Sequence, residues 1–251
     1  MVESVRLRFM GVGNAKASEL GSASAVLELD GRPSLLIDCG PRTLDDFATH
    51  YGEGQPPAVF LTHLHLDHIG GVEQLFYRAY FSGEGPLRLI VPAALVPGLH
   101  DKLAAAPFVL SEGGANFWDA FQLIPASGHF WLENLLFDVF PVRHSGYRSA
   151  YGLGLRGSFL YSGDTRPIPE VVGEFASANE CIFHDCAEVG SPAHTGVEDL
   201  VREYPEHVRR RMVAYHYESA EAAARLERAG LHVARTGQAF DLPVPRPAVA
   251  S

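Results

Sequence analysis

Apolar residues along the chain gather in short runs that alternate with polar, Gly-bearing breaks. Ten of these runs have the length and the β-branched or aromatic content of strands: "VRLRFMGVG", "SAVLEL", "SLLIDCG", "AVFLTH", "LRLIVP", "LLFDVFPVRH", "SFLYSGD", "CIFHDC", "MVAYH" and "LHVAR". Between several of them lie segments with helical periodicity, over residues 43–51, 71–80, 93–105, 168–177, 197–204 and 219–229. Strands dominate the first 40 residues and strand–helix alternation follows. The pattern predicts an α/β protein with two sheets and helices outside them, rather than one doubly wound sheet.

No Pro-, Gly- or Ser-rich linker divides the chain. A single domain over residues 1–240 is therefore expected, followed by a Pro-rich tail over 241–251 that frays or lies as an extended strap. The chain has 251 residues, 47% hydrophobic and 20% charged, which is ordinary for a globular protein with a sizeable core. It has no run of about 18 apolar residues and no signal-peptide core in "MVESVRLRFM", so a cytoplasmic location without a membrane is expected. Its three cysteines (Cys39, Cys181, Cys186) make no disulfide framework and read as small buried hydrophobes. Twenty basic against 30 acidic side chains give a net charge of −10, which argues against a broad surface for long nucleic acid.

One stretch breaks the pattern. "FLTHLHLDHIGG", residues 60–71, places His63, His65, Asp67 and His68 directly after an apolar run. "PPAVFLTH" reads as a buried strand and "IGGVEQLFYRA" as a helix beginning near Ile69, so the four polar side chains fall in a tight turn at a strand's carboxyl end. Each would cost free energy if buried unpaired. Imidazole and carboxylate together suit a borderline divalent cation, zinc first, with manganese or iron also compatible. A single ion leaves this set over-supplied, so further donors at strand ends are expected. His144 ends "FDVFPVRHS", Asp164 ends "SFLYSGDT" and His216 ends "MVAYHY". Gly163 lets the backbone turn sharply before Asp164, although Asp164 could also serve only as a helix cap for the segment that follows.

With these residues in order, the sequence resembles the metallo-β-lactamase superfamily and, within it, the ribonuclease Z-like branch. "THLHLDHIGG", "VRHS", "YSGDTRP", "FHDC", "AHTG" and "VAYHYE" follow that branch's order from residue 5 to about 240. The resemblance implies an αββα four-layer sandwich with two mixed sheets, outer helices and a dinuclear site at one edge. It implies two divalent metal ions, with His63, His65 and His144 on one, Asp67, His68 and His216 on the other, and Asp164 bridging. It also assigns His194, in "AHTG", to the phosphate and to protonation of the leaving oxygen, and it suggests a homodimer. Asp67 is expected to orient the attacking water while also ligating. His184 and Asp185 read as outer partners that fix ligand tautomers. Arg143, Tyr147 and Arg148 flank His144 and either touch a phosphate or are solvated surface groups.

One departure bears on substrate. Enzymes of this branch that process transfer RNA carry a long arm between the third histidine motif and the bridging aspartate. Here that interval, "SGYRSAYGLGLRGSFLYSG", has 19 residues, enough for two strands and a turn. Two divalent cations would add four positive charges and leave a net charge near −6, still repulsive to a long polyanion. The expectation is a metal-dependent hydrolase, a dinuclear phosphodiesterase that acts on small phosphodiesters such as a cyclic nucleotide or short nucleotide ester. A ribonuclease Z-type endoribonuclease and a lactone or thioester hydrolase on the same fold are the alternatives. A non-catalytic metal-dependent sensor comes last, because a module that only binds needs no activated water.

Overall fold

The computed structural model describes residues 2–104, 108–110, 113–175 and 179–245. The first sheet opens with three antiparallel strands, β1 (Val5–Gly11), β2 (Ser24–Leu29) and β3 (Arg32–Ile37). β1 alternates as its sequence demands, with Val5, Leu7 and Phe9 inward. β2 is buried along its whole length, Glu28 included; that carboxylate survives burial because Arg8 Nε lies 2.8 Å and the Tyr51 hydroxyl 2.6 Å away. Helix α1 (Thr43–Tyr51) buries Leu44 and Phe47 and leads to β4 (Ala58–Phe60). A one-turn helix α2 (Leu66–Ile69) follows, then α3 (Val72–Ser82), which buries Val72, Leu75, Phe76 and Ala79 at helical spacing, and β5 (Leu87–Pro92).

The helix expected over 93–105 is broken. Ala93–Leu95 forms a 3-10 turn, α4 (Val96–Leu99) a single α-turn, and His100–Ala104 a π-turn. Pro97 supplies no N–H and Gly98 disfavours a long helix; residue 105 lies outside the described residues, as does 177 at the end of the 168–177 segment. A small hairpin of β6 (Phe108–Leu110) and β7 (Gly113–Ala115) precedes β8 (Phe121–Ala126).

The second sheet begins with antiparallel β9 (His129–Leu132), β10 (Leu135–Pro141), β11 (Tyr151–Leu155) and β12 (Phe159–Tyr161). It continues through α5 (Pro169–Phe175), β13 (Cys181–Asp185), α6 (Val197–Glu203), α7 (Glu206–Arg209) and β14 (Met212–Tyr215). Then come α8 (Ala220–Arg228), capped by the Ser219 hydroxyl on Ala222 N at 3.1 Å, and β15 (His232–Val233). The last strand, β16 (Ala239–Leu242), returns to the first sheet and pairs antiparallel with β1. The Pro-rich tail thus starts inside a strand, and residues 246–251 lie outside the described residues.

The strand orders are β16-β1-β2-β3-β4-β5-β8 and β15-β14-β13-β12-β11-β10-β9. Each sheet is antiparallel in one part and parallel in the other, since β3, β4, β5 and β8 run together, as do β12 to β15. The two sheets share one core. Phe9 of the first sheet meets Phe183 and Tyr215 of the second with ring centroids 5.5 Å apart. This is the αββα architecture expected from the sequence, with two mixed seven-stranded sheets and outer helices. No helix among the described residues is long and apolar enough to cross a membrane.

Candidate metal centre

The carboxyl ends of β3, β4, β12, β13 and β14 point to the same edge of the sandwich, where open α/β sheets present their ligands. The "HLHLDH" turn leaves β4 there. His63 forms a backbone bridge with Ala150, and α2 lifts Asp67 and His68 toward the same point. The short helix is the part the pattern did not resolve, because the helix expected from Ile69 is preceded by this extra turn. The second sheet contributes His144 after β10, Asp164 after β12 and His216 after β14. Gly163 sits at φ +63°, and a side chain there would meet Tyr151 O at 2.6 Å, so the turn into Asp164 requires glycine.

The structure brings all seven predicted donors together, in two groups. His63, His65 and His144 form one, and Asp67, His68, Asp164 and His216 the other, with the ligand atoms of each group within 4.8 Å of one another. Asp164 Oδ2 lies between the groups. It is 3.3 Å from His68 Nε2 and 3.2 Å from His216 Nε2, and also 3.6 Å from His63 Nε2 and 3.9 Å from His144 Nε2. Asp67 Oδ2 is 3.5 Å from His68 Nε2 and 3.7 Å from His216 Nε2.

Outer partners fix which nitrogen of each ring faces inward. Asp38 Oδ2 accepts from the Thr62 hydroxyl at 2.7 Å and from His68 Nδ1–H at 2.8 Å. The Thr62 oxygen is then left to accept His63 Nδ1–H at 3.0 Å. His144 Nδ1–H donates to Ala193 O at 3.0 Å, and His216 Nδ1 faces Asp185 Oδ1 at 3.5 Å. Four rings therefore turn Nε2 toward the centre, and His65 turns Nδ1, which sits 3.1 Å from His144 Nε2.

The donor set fits divalent cations. His63 Nε2, His68 Nε2, His216 Nε2 and Asp164 Oδ1 are buried without a hydrogen-bond partner among the described residues, an arrangement that proteins avoid unless another group satisfies the atoms. The electrostatics agree. Burial and the neighbouring His68 hold His63 well below the ordinary histidine range. Burial also works against charge on His68 and His216, yet Asp164 together with Asp38 at His68, and with Asp185 and Asp67 at His216, outweighs it, and His216 is pushed up to about 10. Asp164 itself, against burial, is held well below the carboxylate range by His216, His68 and His63. The pocket is built to keep positive charge beside Asp164. These clusters offer a binding site for divalent metal.

His194 lies at the rim. Its Nδ1 donates to Asp185 Oδ2 at 2.8 Å, its ring stacks on His216 with centroids 5.0 Å apart, and it groups with His144 and Asp164. Burial disfavours the imidazolium, but the Asp185 hydrogen bond and charge raise His194 above the ordinary range. Asp185, fully buried, also accepts from Thr165 N at 2.9 Å, so one carboxylate orients both His194 and His216. His184 points elsewhere: Nε2 meets the Tyr204 hydroxyl at 2.8 Å and Nδ1–H donates to Asp185 O at 2.7 Å. Arg143 pairs with Glu170 at 2.7 Å on the surface near His144. Asp38 was missed from the sequence. It ends "SLLID" after an apolar run and before a turn, the very context that singled out His144 and Asp164, and its φ of +62° marks it again.

The fold is that of metallo-β-lactamase fold proteins, and the sheet edge carries a donor set suited to divalent metal. Residues 5–240 match the family model described as "Anti-Pycsar protein Apyc1", and the chain belongs to that family. A similar relative, an "Anti-Pycsar protein Apyc1" of Bacillus phage BSP38, is 27% identical over 241 residues, covering 86% of this chain and 90% of the relative. Among solved structures, the metallo-β-lactamase fold protein YhfI from Bacillus subtilis superimposes with a TM-score of 0.77 at 15% identity, over 95% of this chain and 100% of that one. A diphosphatase of the PhnP family gives 0.73 at 18% identity, over 94% and 97%.

Proposed function

We propose that the protein is a dinuclear metal-dependent phosphodiesterase acting on small phosphodiesters, a cyclic nucleotide or short nucleotide ester, with zinc as the resident ion. The observation that carries this reading is the position of Asp164 Oδ2, within 3.9 Å of imidazole nitrogens from both donor groups. The relatives' name states an action against Pycsar, and we extend that role to this chain.

His63, His65 and His144 would hold one ion, Asp67, His68 and His216 the other, with Asp164 across both. Two such cations supply Lewis acidity toward phosphate oxygens and lower the pKa of water. Asp67, less buried than the other members of its group, would accept a hydrogen bond from the attacking water and so orient it. His194 keeps Nδ1 on Asp185 and has Nε2 left to donate a proton to the departing oxygen. Asp185 fixes that ring and favours its protonated form.

A small substrate is supported by the interval from His144 to Asp164. It is filled by a tight turn and the β11–β12 hairpin, with no arm to clamp RNA. The test is a panel of 3′,5′-cyclic nucleotides, bis-p-nitrophenyl phosphate, a lactone, a thioester and a transfer RNA precursor, run with metal analysis. Cleavage of the small phosphodiesters with weak salt dependence is expected. Efficient, steeply salt-sensitive cutting of the precursor, the mark of backbone binding, would reverse the substrate reading, and turnover confined to the lactone or thioester would reverse the phosphodiesterase reading.

A further inference from the structure

The turn over residues 145–149 combines exposure with an enforced shape. It starts directly after His144 and runs into Ala150, whose backbone bridges His63, so both ends are tied to the metal centre. Inside it, the Ser149 hydroxyl donates to Gly146 O at 3.0 Å and lies 3.1 Å from the Ser145 hydroxyl. Arg148 is held at φ +54°, a left-handed conformation that few non-glycine residues adopt. Strain of this kind persists where surrounding contacts over-determine it, and it concentrates at functional sites.

The turn presents Tyr147 to solvent, 91% exposed, with the Arg148 guanidinium 5.4 Å from its ring centroid. A ring so exposed buries almost nothing and adds little to folding. Beside it is a cavity of about 470 Å³, lined in part by Arg143, His144, Tyr147, Arg148, Arg166 and Glu170. That volume is in the range of small-ligand sites. Arg143 is matched by Glu170, whereas Arg148 and Arg166 have no carboxylate partner among the described residues. An open aromatic face and unmatched guanidinium groups beside a phosphate-directed centre suit a ligand that is both anionic and planar.

We infer that Tyr147, braced by Arg148, is a stacking platform for the nucleobase of a nucleotide substrate, with Arg166 facing its anionic portion. This rests on the phosphodiesterase reading above. Aromatic stacking accepts any base, because every base has a π-face, so the platform would confer preference for nucleotides over baseless phosphodiesters without strong choice among bases.

Two measurements on the metal-loaded protein test it. In the first, kcat/KM is compared for 3′,5′-cyclic nucleotides and for the baseless 1-deoxyribose 3′,5′-cyclic phosphate. Tyr147→Ala should lower the ratio of the two by about 5- to 150-fold, the span that base–aromatic stacking covers, mainly through KM. Tyr147→Phe should restore it. In the second, calorimetry compares binding of a nucleoside 5′-monophosphate with ribose 5-phosphate. The wild-type protein should prefer the nucleotide and Tyr147→Ala should lose the preference. Equal losses on both cyclic substrates, or no nucleotide preference in the wild-type protein, would overturn the platform. If the protein cleaves no phosphodiester yet shows the preference and loses it in Tyr147→Ala, the platform stands and the phosphodiesterase reading falls.

Discussion

His68 Nδ1 lies 2.8 Å from Asp38 Oδ2, and both side chains are buried. The carboxylate does three jobs at once, since it also accepts from the Thr62 hydroxyl and, at 2.7 Å, from Thr62 N. It therefore orients one ring directly and another through Thr62. Outer partners of this kind typically carry 10- to 100-fold in metal affinity or activity. Asp38→Asn should lower the affinity for metal by about that factor, as measured by competition with a chromophoric chelator. Unchanged affinity would mean that the imidazoles are held by packing alone.

Asp164 predicts stoichiometry. Seven donors in two groups exceed what one tetrahedral ion uses, so the purified protein should contain close to two divalent ions per chain by elemental analysis. Asp164→Ala should lose metal and most activity while the far-ultraviolet dichroism of the sheets is kept. A metal-free chain with full activity would refute the mechanism.

His194 predicts a leaving-group dependence. Removing a general acid costs on the order of 10²–10⁴ in rate when the leaving oxygen needs a proton. His194→Ala should show such a loss on an alkyl phosphodiester and little on a p-nitrophenyl ester, whose phenolate departs unaided. Equal losses would assign His194 to binding.

A stability prediction lies away from the centre. Ile168 N donates to the Tyr204 hydroxyl at 2.6 Å, which in turn donates to buried His184 Nε2 at 2.8 Å. Tyr204→Phe strands both partners, and each unsatisfied group costs about 1–3 kcal/mol. Urea unfolding should register a loss of about 2–6 kcal/mol for the two groups together, with substrate KM nearly unaltered.

The candidate donors, which the structure brings together, were legible in the sequence because the turn after β4 and the ends of β10, β12 and β14 each follow an apolar strand run, and few folding needs put an imidazole or carboxylate there. The strands missed have a different cause. β8 and β9 lie at sheet edges, and β8, "FQLIPA", shows neither strict alternation nor continuous burial, so no periodicity announces it. β16 hides in a Pro-rich tail and is a strand only because β1 offers it an open edge. Asp38 was legible in principle but has no histidine neighbour in sequence; its partner His68 is 30 positions away. That pairing belongs to tertiary structure, which a linear pattern does not show.

The split of donors between the sheets makes the centre a cross-link. His63, His65, Asp67 and His68 leave the first sheet, whereas His144, Asp164 and His216 leave the second. Metal held between them would bind the native arrangement and not the unfolded chain, so its affinity would add to folding stability as RT ln(1 + [M]/Kd), about 4 kcal/mol at a thousandfold excess over Kd. Metal bound there would act as a reversible clasp closing a loop of some 150 residues, from His63 to His216, where no disulfide is present. A chelator would then do more than stop the chemistry: it would loosen the seam between the sheets, and thermal stability would track free metal concentration.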